Sequence, residues 1–241
     1  MTNKMLNITC IGCGTIGAGW VARLLQNNFD VKIYDPTPLE NSRLDSILSN
    51  SKRAYRKLFP NSKRVFGSFN YYSEITPALE NADFVIESVP ERIETKLKIY
   101  DQIEIECKQK ALIASSTSGI KPSDLQKNMK NPERLIVAHP FNPVYLIPMV
   151  EIVGGLKTDP MYIRKACDFF SSIFMKPIHI KKEIEAFVAD RLLEAIWRES
   201  LWLIKDGICT TEELDDIVRY GFGLRYAQMG VFQTYRTAAG E

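Results

Sequence analysis

The sequence predicts an α/β protein, a Rossmann-type, doubly wound and mostly parallel sheet followed by a helical C-terminal domain. Three observations predict it. A glycine-rich turn stands between an apolar strand and an amphipathic helix near the N-terminus. Short apolar runs then alternate with helical periodicity as far as residue 180, and beyond Glu185 only helical spacing is left.

Leu6 to Ile11 is a short buried strand that runs directly into Gly12-Cys13-Gly14-Thr15-Ile16-Gly17. Ala18 to Asn27 carries Trp20, Val21, Leu24 and Leu25 at helical spacing, and Val31 to Tyr34 is a second strand ending at Asp35. Strand, turn, helix and strand in this order make a βαβ unit with a right-handed crossover. Residues 40 to 59 form a polar, basic helix or helix pair. Asp83 to Glu87 is a buried strand, Glu94 to Lys110 a helix, and Ala111 to Ser115 a strand. Another helix starts at Pro122, and Arg134 to Ala138 is again a strand. Met149 to Val153 and Pro177 to Ile180 are two more, with a helix over Met161 to Phe174 between them. Helices over Phe187 to Asp206 and Thr211 to Tyr220 follow, the second opened by the capping-box-like Thr210-Thr211-Glu212-Glu213. The expected domains are 1–184, binding a dinucleotide, and 185–241, helical.

The composition narrows the function. With 241 residues, 45% of them hydrophobic, the chain buries a sizeable core without staples. A net charge of +2 gives no reason to expect nucleic acid or a membrane surface as partner. Five scattered cysteines suit reduced thiols in the cytoplasm. The polar start Met1-Thr2-Asn3-Lys4 gives no signal peptide, and the most apolar region, Val137 to Val153, is broken by three prolines and carries His139 and Glu151. Cys10 and Cys13 form a C-x-x-C, but no second pair or histidine cluster completes a zinc site, so no metal is expected.

Gly12, Gly14 and Gly17 match G-x-G-x-x-G in the setting the motif requires. The first glycine permits the tight turn, the second lets backbone approach a pyrophosphate, and the third brings helix and strand together. With Thr15 and Ile16 they expose the N–H groups of a helix start, where the dipole favours phosphate. Asp35 follows Gly17 by 18 residues, placed to accept hydrogen bonds from a ribose diol and to repel a 2′-phosphate. NAD is the expected cofactor.

Ser118 and His139 follow strands of this sheet at their carboxyl ends, where ligands bind in open α/β sheets. A histidine oriented by a carboxylate can take the proton of a secondary alcohol while hydride leaves for nicotinamide. His179, the only other histidine, sits in an alternating edge-strand pattern. Residues alone leave His139 open between a catalyst and a satisfied strand-end histidine.

Ser118, His139 and Glu151 stand 21 and 12 residues apart, with His139-Pro140-Phe141-Asn142-Pro143 between. In this the chain resembles the 3-hydroxyacyl-CoA dehydrogenase superfamily. The resemblance implies His139 as acid–base, Glu151 as its orienting partner and Ser118 as a donor to substrate or cofactor. It also implies Glu91, Lys96 and Asn142 beside the nicotinamide ribose. Two departures speak against an acyl-CoA substrate. Asp190 stands where the acyl-CoA enzymes carry Asn, and the segment between Asp35 and Glu87 is shorter than their CoA-gripping hairpin.

Within the superfamily the chain more closely resembles bacterial L-carnitine dehydrogenases, through His139 to Leu146, Ala189 to Ala195 and above all Gly223-Leu224-Arg225-Tyr226-Ala227-Gln228-Met229-Gly230. Gulonate dehydrogenases of the lambda-crystallin type share the frame, and a non-catalytic NAD-binding structural protein of that lineage is the non-enzyme alternative. Carnitine's trimethylammonium group needs aromatic faces and diffuse negative charge. Phe141, Tyr145, Phe187 and Asp190 are the candidates, with core packing or a helix N-terminal charge as their ordinary alternatives. The resemblance implies a homodimer joined through a helical domain that also serves the substrate. The 56 residues after 185 are few for that domain, so the expectation is a shortened one with weak dimerisation or impaired activity.

Overall fold

The computed structural model describes residues 6–39, 43–61 and 65–240. Residues 1–5, on which the expectation about a leader rests, and 40–42 of the expected basic helix lie outside them. The chain divides into two compact units, Met1–Phe187 and Val188–Glu241.

In the first unit the elements run β1 (Ile8–Ile11), α1 (Thr15–Gln26), β2 (Val31–Tyr34), α2 (Leu44–Leu58), β3 (Phe69–Tyr72), α3 (Ile75–Leu79), β4 (Phe84–Glu87) and α4 (Ile93–Glu106). They continue through β5 (Leu112–Ser115), α5 (Pro122–Leu125), β6 (Leu135–Pro140), β7 (Met149–Gly154), α6 (Pro160–Ser172) and β8 (Lys176–Ile180). The eight strands form one sheet in the order β3-β2-β1-β4-β5-β6-β7-β8. Every neighbouring pair is parallel except β6 and β7.

Strands β1, β4, β5 and β6 are buried along their whole length, as a parallel sheet covered on both faces requires. Alternate side chains feed two cores. Ile8, Cys10, Phe84, Ile86, Leu112 and Ala114 face one layer, where Trp20 and Phe170 stack at 5.2 Å. Ile11, Val85, Ile113 and Val137 face the other, with Tyr100 and Ile103 of α4 and Leu125 of α5. Each fully buried large side chain of this kind contributes roughly 1.5–3 kcal/mol.

Helix α2 buries Leu44, Leu48, Ser51 and Tyr55, a stripe at helical spacing, and turns its basic face outward. The sequence reading did not foresee β3 or α3. β3 is an edge strand only partly buried, so Phe69-Asn70-Tyr71-Tyr72 carries no apolar run. His179 is exposed on β8, the opposite edge.

The strand order reverses between β1 and β4, and register aligns the carboxyl ends there, Ile11 beside Glu87 and Glu87 beside Ser115. The segments that leave these ends therefore start side by side, which is the crevice where α/β sheets hold ligands.

The second unit contains α7 (Ala189–Lys205), α8 (Thr211–Ile217), a π turn over Val218–Phe222, α9 (Gly223–Tyr226) and α10 (Val231–Ala239). α8 opens with the anticipated reciprocal cap, in which Thr210 Oγ1 accepts from the Glu213 N–H and the Thr210 N–H donates to Glu213 Oε2. Among the described residues no helix is long and apolar enough to cross a membrane.

Candidate active site

The turn after β1 is shaped by close approach. Gly12 sits at φ +85°, a backbone that side-chain-bearing residues rarely adopt, and its N–H donates to the Tyr34 carbonyl at 2.8 Å. A Cβ on Gly17 would lie 1.9 Å from the Gly12 carbonyl oxygen, so this glycine sets how near α1 packs to β1. Gly14 differs, because a Cβ there would meet nothing within 4 Å. It caps α1 without a side-chain acceptor, and the first turn holds no acidic residue. Orphan N–H groups beside open space, with the dipole's positive end, form a cradle that fits a pyrophosphate.

Asp35 lies at the end of β2, where its carboxylate accepts from the Cys13 N–H at 2.6 Å and the Thr37 N–H at 2.8 Å. It thus belongs to the loop that would meet the adenosine ribose. Thr15 is exposed and accepts from Arg43, a guanidinium that sequence reasoning passed over because α2 reads as a merely basic surface helix.

His139 and Glu151 are opposite each other in the β6–β7 register. That antiparallel pair explains the 12-residue spacing, since the two strands are joined by a loop and directly opposed residues share one face. Glu151 Oε2 stands 2.8 Å from His139 Nδ1, and both side chains are buried. Such a contact can fix the tautomer and the ring orientation. The rings of Phe141 and Phe187 lie 5.5 and 5.6 Å from the imidazole. Phe187 is fully buried although its backbone and that of Ala186 are left-handed, at φ +47° and +57°. That conformation costs roughly 1–2 kcal/mol per residue, and burial of the ring, worth about as much, offsets it.

His139, Ser118, Glu91 and Ile16 line one cleft of about 330 Å³, together with Ser88 and Ser116. Glu91 organises its wall. Its Oε1 accepts from the Thr117 hydroxyl, from the Ser118 N–H at 3.1 Å and from the Gly119 N–H at 3.3 Å, and its Oε2 lies 3.3 Å from Lys96 Nζ. Lys96, 1% exposed, also pairs with Glu87 at 2.8 Å. Glu87 was missed as a functional residue, although an acid closing the apolar run Phe84-Val85-Ile86 was a visible signal.

Asn142 is exposed on the loop after β6, before a cis-Pro143, and Tyr145 is half-buried against the sheet core. Arg23 of α1 ties down this loop through the carbonyls of Val144 at 3.1 Å and Ile147 at 3.0 Å, a link no sequence pattern announced. Asp190 stands in the first turn of α7 in the second unit.

Cys10 and Cys13 are free thiols inside β1 and the glycine turn. Burial, then the neighbouring Cys13, pushes the Cys10 thiol far up. Burial, then Asp35, pushes Cys13 up to about 12. Among the described residues no group of three metal-ligating side chains exists. In the native protein neither thiol is expected to react with an aromatic disulfide reagent at neutral pH, and both should react once it is unfolded. Rapid native labelling of either, read by peptide mass, would contradict their place in the core.

An open helix start, an acid at the end of β2 and a buried His–Glu pair are arrangements suited to holding a dinucleotide and to moving a proton. Comparison makes this specific. The family described as 3-hydroxyacyl-CoA dehydrogenase, NAD binding domain, matches residues 7–184, and its C-terminal domain matches 187–240. The chain belongs to this family, and its cofactor is NAD. It is 56% identical over 232 residues to an L-carnitine dehydrogenase of Mesorhizobium japonicum, covering 96% of this chain and 64% of that protein. It is 50% identical over 236 residues to an L-carnitine dehydrogenase/betainyl-CoA thioesterase of Agrobacterium fabrum, covering 98% and 48%. The chain thus spans 64% and 48% of the length of these two relatives. A solved structure of a 5-formyl-3-hydroxy-2-methylpyridine 4-carboxylic acid 5-dehydrogenase, an NAD+ dependent dismutase, superposes with a TM-score of 0.91. It is 35% identical and covers 97% of this chain and 76% of its own.

Proposed function

We propose that this protein oxidises the 3-hydroxyl of L-carnitine to 3-dehydrocarnitine, with NAD as hydride acceptor. The observation that carries the reaction is the 2.8 Å His139–Glu151 contact in the same cleft as Ser118 and Ile16. The observation that carries the substrate is 45–56% identity to relatives named as L-carnitine dehydrogenases.

In this reading His139 Nε2 takes the hydroxyl proton as the C3 hydride departs. Glu151 balances the resulting imidazolium, and the alcohol becomes a ketone. Ser118 donates a hydrogen bond to the reacting oxygen or the cofactor. Bound NAD+ supplies the hydride acceptor. Gly12, Gly14, Thr15, Ile16 and Gly17 hold its pyrophosphate, Asp35 its adenosine ribose, and Glu91, Lys96 and Asn142 its nicotinamide ribose. Phe141, Tyr145 and Phe187 receive the trimethylammonium end by cation–π contact. Residues 1–184 serve as the NAD-binding domain and 185–241 as the substrate and dimerisation domain.

The proposed assembly is a homodimer. α7 buries none of its side chains, and Leu192, Leu193, Ile196, Trp197, Leu201 and Trp202 are all exposed at helical spacing. Light scattering that gives only monomer at micromolar concentration would refute it. The free thiols fit a reducing cytoplasm. NADH formation with L-carnitine, set against L-gulonate and 3-hydroxybutyryl-CoA, tests the substrate. Equal or better turnover of either competitor would overturn carnitine while leaving the reaction class standing.

A further inference from the structure

We propose that the charge of Glu91, only partly compensated because Lys96 is shared with Glu87, makes this cleft bind the oxidised, cationic nicotinamide in preference to the reduced, neutral one. The proposal rests on the reading that the nicotinamide end of NAD occupies the cleft.

The charge count comes from a buried cluster behind the cleft wall. Glu87, fully buried, has both carboxylate oxygens occupied by donors. Its Oε1 accepts from Lys96 Nζ at 2.8 Å and the Val89 N–H at 2.8 Å. Its Oε2 accepts from the Tyr100 hydroxyl and the Ser115 hydroxyl, each at 2.6 Å. Lys96 is nearer to Glu87 than to Glu91, at 2.8 against 3.3 Å. One ammonium therefore faces two carboxylates, and the cluster is left with a net negative charge. Glu91 carries that charge to the cleft, since Glu87 is sealed and Glu91 is 44% exposed.

Two further facts favour the assignment. Among the described residues, those lining the cleft include neither Lys nor Arg, and Glu91 is their only carboxylate. Burial opposes ionisation of Glu91, but the Thr117 hydroxyl, the Lys96 ammonium and the Gly119 N–H outweigh it and hold the carboxyl below its ordinary range. The family resemblance implied only ribose contacts for Glu91 and Lys96. Glu87 alters what they do, because one lysine charge is then shared between two carboxylates.

The oxidised and reduced cofactors share the same phosphates and riboses, and differ at the nicotinamide by one positive charge. A nearby, only partly compensated carboxylate acts on that difference alone. At an effective dielectric of about 40, suited to a half-exposed carboxylate, and a separation of about 6 Å, the attraction changes a binding constant by on the order of tenfold. A stronger hold on the oxidised form lowers the potential of the bound couple, by about 30 mV for each tenfold.

The test is calorimetric titration of the intact protein with NAD+ and with NADH, separately, for the wild type, Glu91→Gln and Thr117→Val. Glu91→Gln should raise the ratio of the NAD+ to the NADH dissociation constant about tenfold. Thr117→Val removes a donor to Glu91 but no charge, and should leave the ratio within about twofold while both constants move together. If Glu91→Gln weakens both forms equally, Glu91 acts by hydrogen bonding and the charge assignment falls, while the dinucleotide site stands. If the wild type binds neither form, the site and the inference fall together. A salt series on the wild type needs no variant. Phosphate contributions cancel in the ratio, which should rise with ionic strength as the carboxylate is screened, and a salt-independent ratio would overturn the proposal.

Discussion

His139→Ala is expected to lower kcat for L-carnitine oxidation by about 10²–10⁴, the range over which a positioned acid–base group acts, with the NAD+ dissociation constant changed by no more than about twofold. The two effects separate because the imidazole and the phosphate cradle lie on different segments. His139 is on β6, whereas Gly12 to Gly17 follow β1. NADH formation at saturating substrate and calorimetric NAD+ binding measure them independently. Glu151→Gln should lose a large part of the same factor. Its amide has the length of the carboxylate but cannot balance an imidazolium, and an amide nitrogen turned toward Nδ1 would favour the wrong tautomer. A loss below tenfold in His139→Ala would move the acid–base role to another residue. A matching loss in NAD+ affinity would make His139 a structural member of the cleft.

How far this site was legible depends on which interactions are local in sequence. The glycine turn was legible because its three glycines, its strand and its helix are contiguous, and each is required by its neighbours. The buried strands of the sheet were legible from apolar runs short enough for strands and bounded by helical spacing. The His139–Glu151 spacing was visible, but its cause, an antiparallel pair within an otherwise parallel sheet, was not. Nothing local distinguishes a strand that returns beside its predecessor from one that arrives by a crossover. The polar cluster behind the cleft was hidden for a related reason. Glu87, Lys96, Tyr100, Ser115 and Thr117 come from β4, α4, β5 and the following loop, and each alone is an ordinary polar residue. Arg23 is a further case. On α1 it reads as the charged position of an amphipathic helix, yet it is buried and holds a loop more than 120 residues away. The edge strand β3 escaped because half-exposed Tyr and Asn give no period of two strong enough to read.

Gly17→Ala and Gly14→Ala are expected to part company, although both remove a glycine of one motif. A Cβ on Gly17 would lie 1.9 Å from the Gly12 carbonyl oxygen and 3.3 Å from Ser88 Cβ. The carbonyl cannot yield, because Gly12 is held at φ +85°, its N–H is bonded to the Tyr34 carbonyl, and its own Cβ position is 2.5 Å from the Ser88 oxygen. Helix α1 must therefore lift from the sheet, loosening Trp20, Val21 and Leu24 in the core. Overpacking that only a backbone shift can relieve costs about 3 kcal/mol or more, equivalent to a Tm lower by roughly 10 °C for a chain of this size, and NAD affinity falls with the cradle. Gly14→Ala meets nothing, so Tm should stay within about 1–2 °C. Its methyl group would stand in the open space over the first turn of α1, where the pyrophosphate needs close backbone approach. Losing one charge-assisted hydrogen bond there, worth about 1.5–3 kcal/mol, weakens NAD binding by roughly ten- to a hundredfold. Thermal melts and NAD+ titrations of the two variants side by side decide the matter. Unchanged affinity in Gly14→Ala would place the phosphates elsewhere, and an unchanged melt in Gly17→Ala would mean that α1 does not need to sit so close.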